Sequence, residues 1–350
     1  MAQHAVNLPD AGAKLADLTG PGCTDRWGMT CTDLGATVRT ADGTLVSVFG
    51  DSFAGARVGE GDWRSPVVLL GRGSDARGAT HTIRYDRAGG ADPDYARRLR
   101  RHRRDRLPRP GRPISTVIPS DLLVVGEHLY LHVIVNRGFG TVAWTEIWRS
   151  SDTGVSWTHL RRARFPGGWR GGFAQCWSWE YDPDDGWVYV ASTGFQRNKG
   201  IILSRVRPEH LGHRRRYQCW GCERGRWRWG ANASVITPPT ETWGELSLRR
   251  LAPGAWLLGG FCSSHYALGY RVLTSPTAPL DTAPLQLPVR GTTWDAEDHD
   301  HCRVAQLYGG YVLPGSRIDV PGGVGLMVSQ WRTAVGWPYR VMQFRVTLRS

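Results

Sequence analysis

The chain has 350 residues, of which 41% are hydrophobic and 21% are charged, so it can bury a large core and is not disordered by composition. Glycine (44) and proline (21) are plentiful and long helical patterns are absent, which excludes a helical bundle and favours short strands joined by turns. The formal net charge of +13 admits nucleic acid as a partner, but nine arginines lie within residues 97–112, so one segment carries most of the charge.

The first 21 residues are interpreted as an N-terminal extension. They contain no basic segment followed by an apolar run, so no signal peptide is predicted. No stretch has the length of a transmembrane helix, so membrane insertion is not expected. We therefore expect a protein that belongs to a phage virion or to phage lysis, or one that stays in the cytoplasm until it is released.

A hairpin pattern recurs along the rest of the chain. Each unit combines an apolar strand, a turn with Gly, Asp or Pro, and a second strand rich in β-branched and aromatic residues. More strand-like segments follow most units, giving about four strands per unit. This pattern predicts an all-β protein, a five-bladed β-propeller, that forms a single domain over residues 22–350. The five hairpins are predicted at residues 33–51, 121–135, 175–191, 245–261 and 303–313.

The arginine-rich segment is interpreted as an insertion near residues 92–113. A block of like charge is usually a solvated loop, and attraction to an anionic polymer or envelope is the alternative. Because the charge is confined to one loop, nucleic acid is not expected as the main partner.

Between the second and third units, Ser150-Ser-Asp152-Thr-Gly154-Val-Ser-Trp157 matches the Asp-box pattern. We expect Asp152 to accept backbone N–H groups, Gly154 to adopt a positive φ and Trp157 to pack into the blade. The role of the motif is structural. Sialidase-like chemistry also accompanies Asp boxes, but the sequence assigns neither the Tyr–Glu pair nor the arginine cluster that it requires.

The seven cysteines suggest no metal or redox site. Cys219 and Cys222 form an isolated Cys-x-x-Cys, for which a loop disulfide or free thiols are favoured, and a pair between Cys23 and Cys31 stays open. No cofactor is expected. A structural calcium ion is compatible with a propeller but is not demanded by any ligand cluster, and the oligomeric state stays open.

The first hairpin carries the predicted catalytic pair. If it turns about Asp42, opposed residues have numbers that sum to about 84, which sets Asp33 opposite Asp51. Opposed side chains share a face with Cβ atoms about 4.5–5.5 Å apart. Two carboxylates at that distance repel, so one pKa rises and the pair separates into an acid and a base, as glycoside hydrolysis requires. This deduction depends on the register, because a slip of one residue would turn the two side chains to opposite faces.

Substrate-binding residues are predicted around that pair. Asp121 and Glu245 stand, like Asp33, at the head of an inner strand, where propeller ligands bind. Indole rings stack on the C–H faces of sugars, and Arg, Asn and His side chains bind hydroxyl groups. The candidates from this argument are Asp121, Asn136, Arg137, Trp177, Glu245, His265 and Trp331.

Several short motifs resemble an actinobacterial and phage propeller family that was long catalogued as a domain of unknown function. The motifs are Asp33-Leu-Gly-Ala-Thr, Val48-Phe-Gly-Asp51-Ser-Phe, Ile118-Pro-Ser-Asp121 with Tyr130-Leu-His-Val, and Trp243-Gly-Glu245-Leu-Ser-Leu-Arg249. The similarity spans residues 22–346, and the arginine-rich insertion is a departure from it. The family is associated with endo-D-arabinanases of glycoside hydrolase family 183.

The resemblance implies a substrate and site residues. The substrate would be D-arabinan, the furanose polymer of mycobacterial arabinogalactan and lipoarabinomannan, cleaved at internal linkages. Asp33 and Asp51 match the family's catalytic acids, and Glu245 and Arg249 match a motif for which substrate binding is suggested. The alternative is a non-catalytic carbohydrate-binding propeller, such as a phage tail adhesin, which would keep the tryptophans but not need the aspartate pair. The exact linkage, endo or exo action and the stereochemical outcome stay open.

Overall fold

The structure is a computed structural model that describes residues 12–72, 81–102, 113–138 and 140–349. Across these ranges the regular structure consists of β-strands and short 3-10 turns, with no α-helix, which confirms the all-β prediction. No helix in this part of the chain is long and apolar enough to cross a membrane.

The strands alternate with short turns along the whole described chain. In chain order they are β1 (Ala13–Asp17), β2 (Leu34–Arg39), β3 (Thr44–Phe49), β4 (Ser52–Phe53), β5 (Trp63–Arg64), β6 (Val67–Arg72), β7 (Arg84–Ala88), β8 (Ile114–Val125), β9 (His128–Arg137), β10 (Val142–Ser150), β11 (Thr158–Pro166), β12 (Cys176–Asp182), β13 (Trp187–Thr193), β14 (Ile202–Val206), β15 (Gln218–Glu223), β16 (Arg226–Trp229), β17 (Trp243–Ala252), β18 (Ala255–Cys262), β19 (Ala267–Leu273), β20 (Gln286–Thr292), β21 (Arg303–Ala305), β22 (Leu307–Val312), β23 (Val324–Trp331) and β24 (Tyr339–Val346). The 3-10 turns are Asp25–Trp27, Trp169–Gly172, Pro208–His210, Arg214–Arg216, Ser263–His265, Leu280–Thr282, Trp294–Ala296 and His299–His301.

Five sheets form the blades of a propeller. Their strand orders are β2-β3-β6-β7 for blade 1, β8-β9-β10-β11 for blade 2, β12 to β16 for blade 3, β17 to β21 for blade 4, and β22-β23-β24-β1 for blade 5. The first strand of each order contacts the first strands of the two neighbouring blades, so β2, β8, β12, β17 and β22 form a closed ring. The five-bladed prediction is therefore confirmed.

The N-terminal strand completes the last blade. β1 pairs antiparallel with β24, so the first and last strands of the chain share one sheet and close the ring. These residues belong to the segment 1–21 that was predicted to be an N-terminal extension. A single strand of five residues without its own hairpin gives little local pattern, and its partner lies more than 300 residues away.

Four of the five predicted hairpins occur where the sequence indicates them, and the fifth prediction is wrong. Gly309 and Gly310 lie inside β22 as a bulge opposite β23, not in a turn. A Cβ on Gly310 would approach the Tyr270 hydroxyl oxygen to 2.8 Å, so close packing against blade 4 selects this glycine. β21, predicted as the first strand of the fifth hairpin, is the outermost strand of blade 4 and pairs in parallel with β20.

The Asp box is the turn between β10 and β11. Asp152 accepts hydrogen bonds from the backbone N–H and the hydroxyl of Ser156 at 2.9 and 2.6 Å, and Gly154 has a φ of 86°. Trp157 is buried and its Nε1 donates to the Gly154 carbonyl at 3.2 Å. The structural role predicted for this motif is confirmed.

A buried ion pair joins three innermost strands. Arg249 on β17 donates through Nη2 and Nη1 to the two carboxylate oxygens of Asp121 on β8, at 2.7 and 2.8 Å. Ser178 on β12 donates to the same carboxylate at 2.6 Å. Asp121 is fully buried and Arg249 nearly so, so the charges depend on each other for solvation.

We expect Asp121→Ala to lower the free energy of unfolding by about 3–5 kcal/mol, because Arg249 would keep a buried charge without its partner. Chemical denaturation of the purified chain measures this loss. The matched control is Asp319→Ala, which breaks an ion pair with Arg317 that is exposed on both sides and should leave unfolding unchanged. Equal effects of the two substitutions would contradict the role of the buried pair.

Candidate active site

The heads of the innermost strands open into a cavity of about 880 Å³. β2, β8, β17 and β22 each contribute residues from their N-terminal ends, and other strands and connecting loops supply the rest of the wall. The polar and aromatic residues of the lining include Asp33, Asp51, Trp63, Thr116, Asn136, Gln196, Arg197, Glu245, Tyr266, Gln306, Tyr308, Trp331, Thr333 and Tyr339. The cavity lies at the heads of the inner strands, where the ligand was predicted to bind.

The first hairpin reaches this cavity with a register that differs from the prediction by one residue. Ala36 faces Val48 as expected, but a bulge at Leu34 shifts the pairing, and Leu34 faces Phe49. The Asp33 carbonyl therefore accepts the N–H of Gly50, so Asp33 is not directly opposite Asp51. Leu34 has a φ of 70° at this bulge, and both aspartates line the cavity despite the slip.

Glycine at position 50 makes room for the Asp33 carboxyl group. A Cβ built on Gly50 would lie 2.2 Å from Asp33 Oδ1, so any side chain there would displace the carboxyl. Tyr308 Oη donates to the other oxygen, Oδ2, at 2.9 Å. Asp33 Oδ1 is buried and has no hydrogen-bond partner among the described residues.

The environment raises the pKa of Asp33 to about 7 from its ordinary value of 3.8. Burial is the largest cause, and the negative charge of Asp51 adds to it, since both disfavour a second carboxylate at this site. The hydroxyls of Tyr339 and Tyr308 act in the opposite direction. Asp33 is consequently a carboxylic acid that exchanges its proton near neutral pH.

Asp51 is held by two neutral donors. Trp63 Nε1 and Thr116 Oγ1 both donate to its Oδ1, at 3.0 and 2.8 Å. Trp63 comes from β5, which pairs with β4 outside the blade sheets, and Thr116 comes from β8 of blade 2, so two separate sheets fix this side chain. Because both donors use the same oxygen, Oδ2 is the atom left for a ligand.

A third carboxylate in the cavity is paired with an arginine. Arg197 Nη2 lies 2.6 Å from Glu245 Oε1, and the guanidinium also lies over the rings of Phe261 and Tyr308. Glu245 Oε2 is buried without a partner among the described residues. A Cβ on Gly244 would lie 2.8 Å from Arg197 Cγ, so this glycine gives the arginine its path to Glu245.

The structure brings together five of the residues that the sequence selected. Asn136, Glu245 and Trp331 line the same cavity as Asp33 and Asp51. Asn136 is fully buried, and neither its amide oxygen nor its nitrogen has a partner in the described part of the chain. The indole Nε1 of Trp331 is also unpartnered there.

The other five selected residues lie outside the cavity lining. Asp121 and Arg249 form the buried pair deeper along the inner strands. Trp177 stacks on His132 with centroids 4.2 Å apart and is core between blades 2 and 3. Arg137 follows Asn136 but points toward Trp144, and His265 is exposed beside the cavity residue Tyr266. An inward acid or an indole looks the same in sequence whether it packs or binds.

The cavity lining also contains Thr116, Arg197, Tyr308 and Tyr339, which no sequence pattern indicated as site residues. Tyr308 was assigned to a turn because Gly309 and Gly310 follow it. Arg197 is in a loop with no repeated pattern. Because the second and fifth inner strands were predicted to begin at Asp121 and Arg303, Thr116 and Tyr308 lay outside the predicted strand heads.

Part of the arginine-rich segment is docked near the cavity. The Arg98 guanidinium lies 4.6 Å from the centre of the Trp63 ring, whose Nε1 binds Asp51. His102 Nε2 lies 2.8 Å from an oxygen of the buried Glu146. Burial acts to raise the Glu146 pKa, but hydrogen bonding and charge from His102 and other donors lower it to about 2. Residues 103–112 of the segment lie outside the described residues.

All seven cysteines are free thiols, including Cys219 and Cys222 and the pair left open at Cys23 and Cys31. The described residues contain no group of three or more His, Cys, Asp or Glu side chains arranged to hold a metal ion.

Comparison with known proteins supports the family resemblance. The model of the family described as "Domain of unknown function (DUF4185)" matches residues 19–345. An uncharacterised 35.9 kDa protein of Mycolicibacterium smegmatis, encoded in the 3' region of asd, is 30% identical over 315 residues, which cover 86% of this chain and 88% of the relative. The family indicated by the sequence motifs is confirmed.

Solved structures show the same fold at low identity. A protein of Bacteroides ovatus, provisionally named a hydrolase, has a TM-score of 0.63 and 13% identity, covering 92% of this chain and 87% of that one. A GH43_1 enzyme from Xanthomonas citri, complexed with xylotriose, has a TM-score of 0.55 and 12% identity, covering 96% and 94% of the two chains. At these identities the likeness concerns the fold alone.

The raised pKa of Asp33 predicts a specific pH dependence of stability. Between pH 3.8 and about 7 the unfolded state has lost the Asp33 proton while the folded state keeps it, so stability falls as pH rises through this window and the penalty is complete above it. Asp33→Asn should remove this contribution and be more stable than the wild type above pH 7. Denaturant unfolding of both proteins across this range measures the difference, and parallel curves would refute the assignment.

Proposed function

We propose, on the premise that this chain belongs to the DUF4185 family, that it is a glycoside hydrolase that cleaves internal D-arabinofuranosyl linkages of D-arabinan. The observation that carries the proposal is the convergence of Asp33 and Asp51 on one cavity, with the pKa of Asp33 raised to about 7. Glycoside hydrolysis needs one carboxylic acid that keeps its proton near neutral pH and a second carboxylate across the scissile bond.

Asp33 is the general acid in this proposal. Its Oδ2 accepts the Tyr308 hydroxyl, and a pKa raised to about 7 lets the carboxyl group keep its proton in weakly acidic solution. That proton passes to the glycosidic oxygen as the bond to the anomeric carbon breaks. A donor with a pKa near the working pH combines a high protonated fraction with a strong tendency to transfer the proton.

Asp51 acts on the opposite side of the linkage. Trp63 and Thr116 hold its Oδ1. Oδ2 either takes a proton from the water molecule that attacks the anomeric carbon, or attacks that carbon itself to form a glycosyl ester, which water deprotonated by Asp33 then hydrolyses. The distance between the two carboxyl groups around the bound sugar decides between these routes, since about 5–5.5 Å gives retention and about 6.5–9.5 Å gives inversion. Both routes pass through a transition state with positive charge on the sugar ring, which the Asp51 carboxylate stabilises.

In this proposal the substrate is bound by polar groups that have no hydrogen-bond partner among the described residues. Asn136 and the free oxygen of Glu245 are placed to bind sugar hydroxyls, and the Trp331 ring is placed to stack on a sugar face. A cavity of about 880 Å³ has room for more than one sugar ring, which suits internal cleavage of a polymer. The GH43_1 enzyme of similar fold, which is complexed with xylotriose, supports a carbohydrate as the substrate. The family resemblance implies that this carbohydrate is D-arabinan.

The test is incubation of the chain with mycobacterial arabinogalactan, followed by chromatography of the released oligosaccharides. We expect a ladder of products from the wild type and a loss of about 10²–10⁴-fold in rate for Asp33→Asn and for Asp51→Asn, because each removes one of the two acid–base groups. Asp25→Asn, an exposed carboxylate outside the cavity, is the matched control.

Retained polymer binding by the two cavity variants, measured by affinity electrophoresis, would separate lost chemistry from lost folding. Tight binding by the wild type without any product would refute hydrolysis and make the chain a carbohydrate adhesin.

The rate should also report the proton on Asp33. We expect kcat to fall as pH rises through about 7, because the general acid loses its proton. Tyr308→Phe should move this decline to higher pH, since the Tyr308 hydroxyl lowers the Asp33 pKa by stabilising its carboxylate. A decline that stays at the same pH in Tyr308→Phe would mean that another group controls it.

A further inference from the structure

The rim of the cavity carries an aromatic ring that has no part in the proposed chemistry. Tyr266 directly follows the 3-10 turn Ser263–His265 of blade 4 and lines the cavity. It is 39% exposed, whereas Oδ1 of Asp33 is buried. Tyr266 is therefore accessible to a part of a ligand that extends beyond the catalytic aspartates.

The backbone of Tyr266 has a conformation that residues other than glycine rarely adopt. Its φ is 46° and its ψ is 54°, in the left-handed region. Gln306, between β21 and β22, has a φ of 47°, and its backbone N–H donates to Tyr266 Oη at 2.9 Å. Such conformations cost free energy, and they cluster at ligand sites, where surrounding contacts maintain them. Two strained residues are thus bonded to each other at the rim of the cavity.

The ring of Tyr266 is fixed by the protein before any ligand binds. A Cβ on Gly291 would lie 2.4 Å from two carbon atoms of the ring, so glycine at this position makes room for it. Tyr266 Oη also donates to the Thr292 carbonyl at 3.4 Å. Because the hydroxyl both accepts and donates within the protein, the exposed ring is the part that is left for a ligand. A ring that is already immobile loses little conformational entropy when a ligand packs on it.

Gln306 also anchors a second aromatic residue of the cavity. Its carbonyl accepts the backbone N–H of Trp331 at 3.4 Å. Its side-chain oxygen accepts the Thr333 N–H at 3.1 Å, and its side-chain nitrogen donates to Thr333 Oγ1 at 3.1 Å. Tyr266 and Trp331 are therefore both bonded to Gln306, and both line the cavity.

We propose that Tyr266 determines specificity for chain length, as a stacking surface for a sugar unit beyond the one held at Asp33 and Asp51. Aromatic rings pack on the C–H faces of sugars, and an exposed, fixed ring gives this contact at low entropic cost. Long chains then bind more tightly than short ones, which do not reach the rim. The identity of the ligand rests on the proposed function, and Tyr266 binds substrate without taking part in the chemistry.

The first experiment measures the cleavage of D-arabinofuranosyl oligosaccharides of increasing length by the wild type, Tyr266→Leu and Tyr266→Phe. Leucine keeps apolar volume without a ring, and phenylalanine keeps the ring without the hydroxyl. We expect Tyr266→Leu to raise KM about tenfold for long oligosaccharides with kcat unchanged, because the lost contact is equal in the ground state and the transition state. The shortest cleaved oligosaccharide should be cleaved at the wild-type rate, and Tyr266→Phe should behave like the wild type.

The shortest substrate distinguishes binding from support of the fold. An equal loss on short and long oligosaccharides in Tyr266→Leu would mean that Tyr266 only maintains the cavity, and no loss on either would mean that no sugar stacks there. Either result would overturn the proposal. Trp227→Leu is the matched control, because it removes a ring that is 44% exposed on β16, outside the cavity lining. A comparable rise in KM in this control would also overturn the proposal, since any exposed ring would then suffice.

The second experiment measures arabinan binding by affinity electrophoresis in Asp51→Asn, with and without Tyr266→Leu, so that no cleavage intervenes. We expect Tyr266→Leu to weaken binding about tenfold. If the wild type cleaves nothing but this loss of binding occurs, the hydrolase proposal fails and the stacking surface stands. If the wild type cleaves arabinan and Tyr266→Leu binds equally well, the stacking surface alone fails. Absence of arabinan binding in every form would overturn both proposals.

Discussion

The rest of this propeller depends on how its innermost strands are joined, because neighbouring blades do not extend one another's hydrogen-bond ladders. The buried pair of Asp121 and Arg249 connects blades 2 and 4 across Ser178 of blade 3. A single serine hydroxyl then bonds to the backbone at each boundary between blades. In order around the ring these contacts are Ser65 to Val117, Ser120 to Trp177, Ser178 to Leu248, Ser247 to Val312 and Ser329 to Leu34. Buried polar groups are thus satisfied where the ladder cannot satisfy them.

These contacts also explain which acids are available for chemistry. Asp121 lies deep along β8, where its carboxylate accepts hydrogen bonds from Arg249, Ser178 and two backbone N–H groups. Asp33 and Glu245 stand nearer the strand heads, above the interblade contacts, and each keeps an oxygen without a partner among the described residues. Three acids that look equivalent in sequence therefore divide into one that holds the ring together and two that face the cavity.

Strand periodicity and turn residues predicted the structures that depend on neighbouring residues in the chain. They did not predict the structures that depend on contacts with distant residues. Alternation and Gly/Asp/Pro turns located four hairpins and the Asp box. The bulge at Leu34 depends on packing against blade 5, including Ser329, so the register near Asp33 could not be derived from the hairpin itself. Arg197 reaches Glu245 from another blade, and Trp177 packs against His132. The residues next to Arg197 and Trp177 in the sequence show no pattern that would predict either contact.

The cavity gathers several buried polar atoms that have no partner among the described residues, which supports a polyhydroxylated ligand. An unsatisfied buried polar atom costs about 1–3 kcal/mol, and proteins seldom keep several together without a use for them. Around this one cavity, Asp33, Asn136, Glu245 and Trp331 all have buried polar atoms that the described residues leave unpartnered. These atoms include donors and acceptors. A sugar presents hydroxyl groups that both donate and accept, so binding it would offset a cost that the folded protein bears in advance.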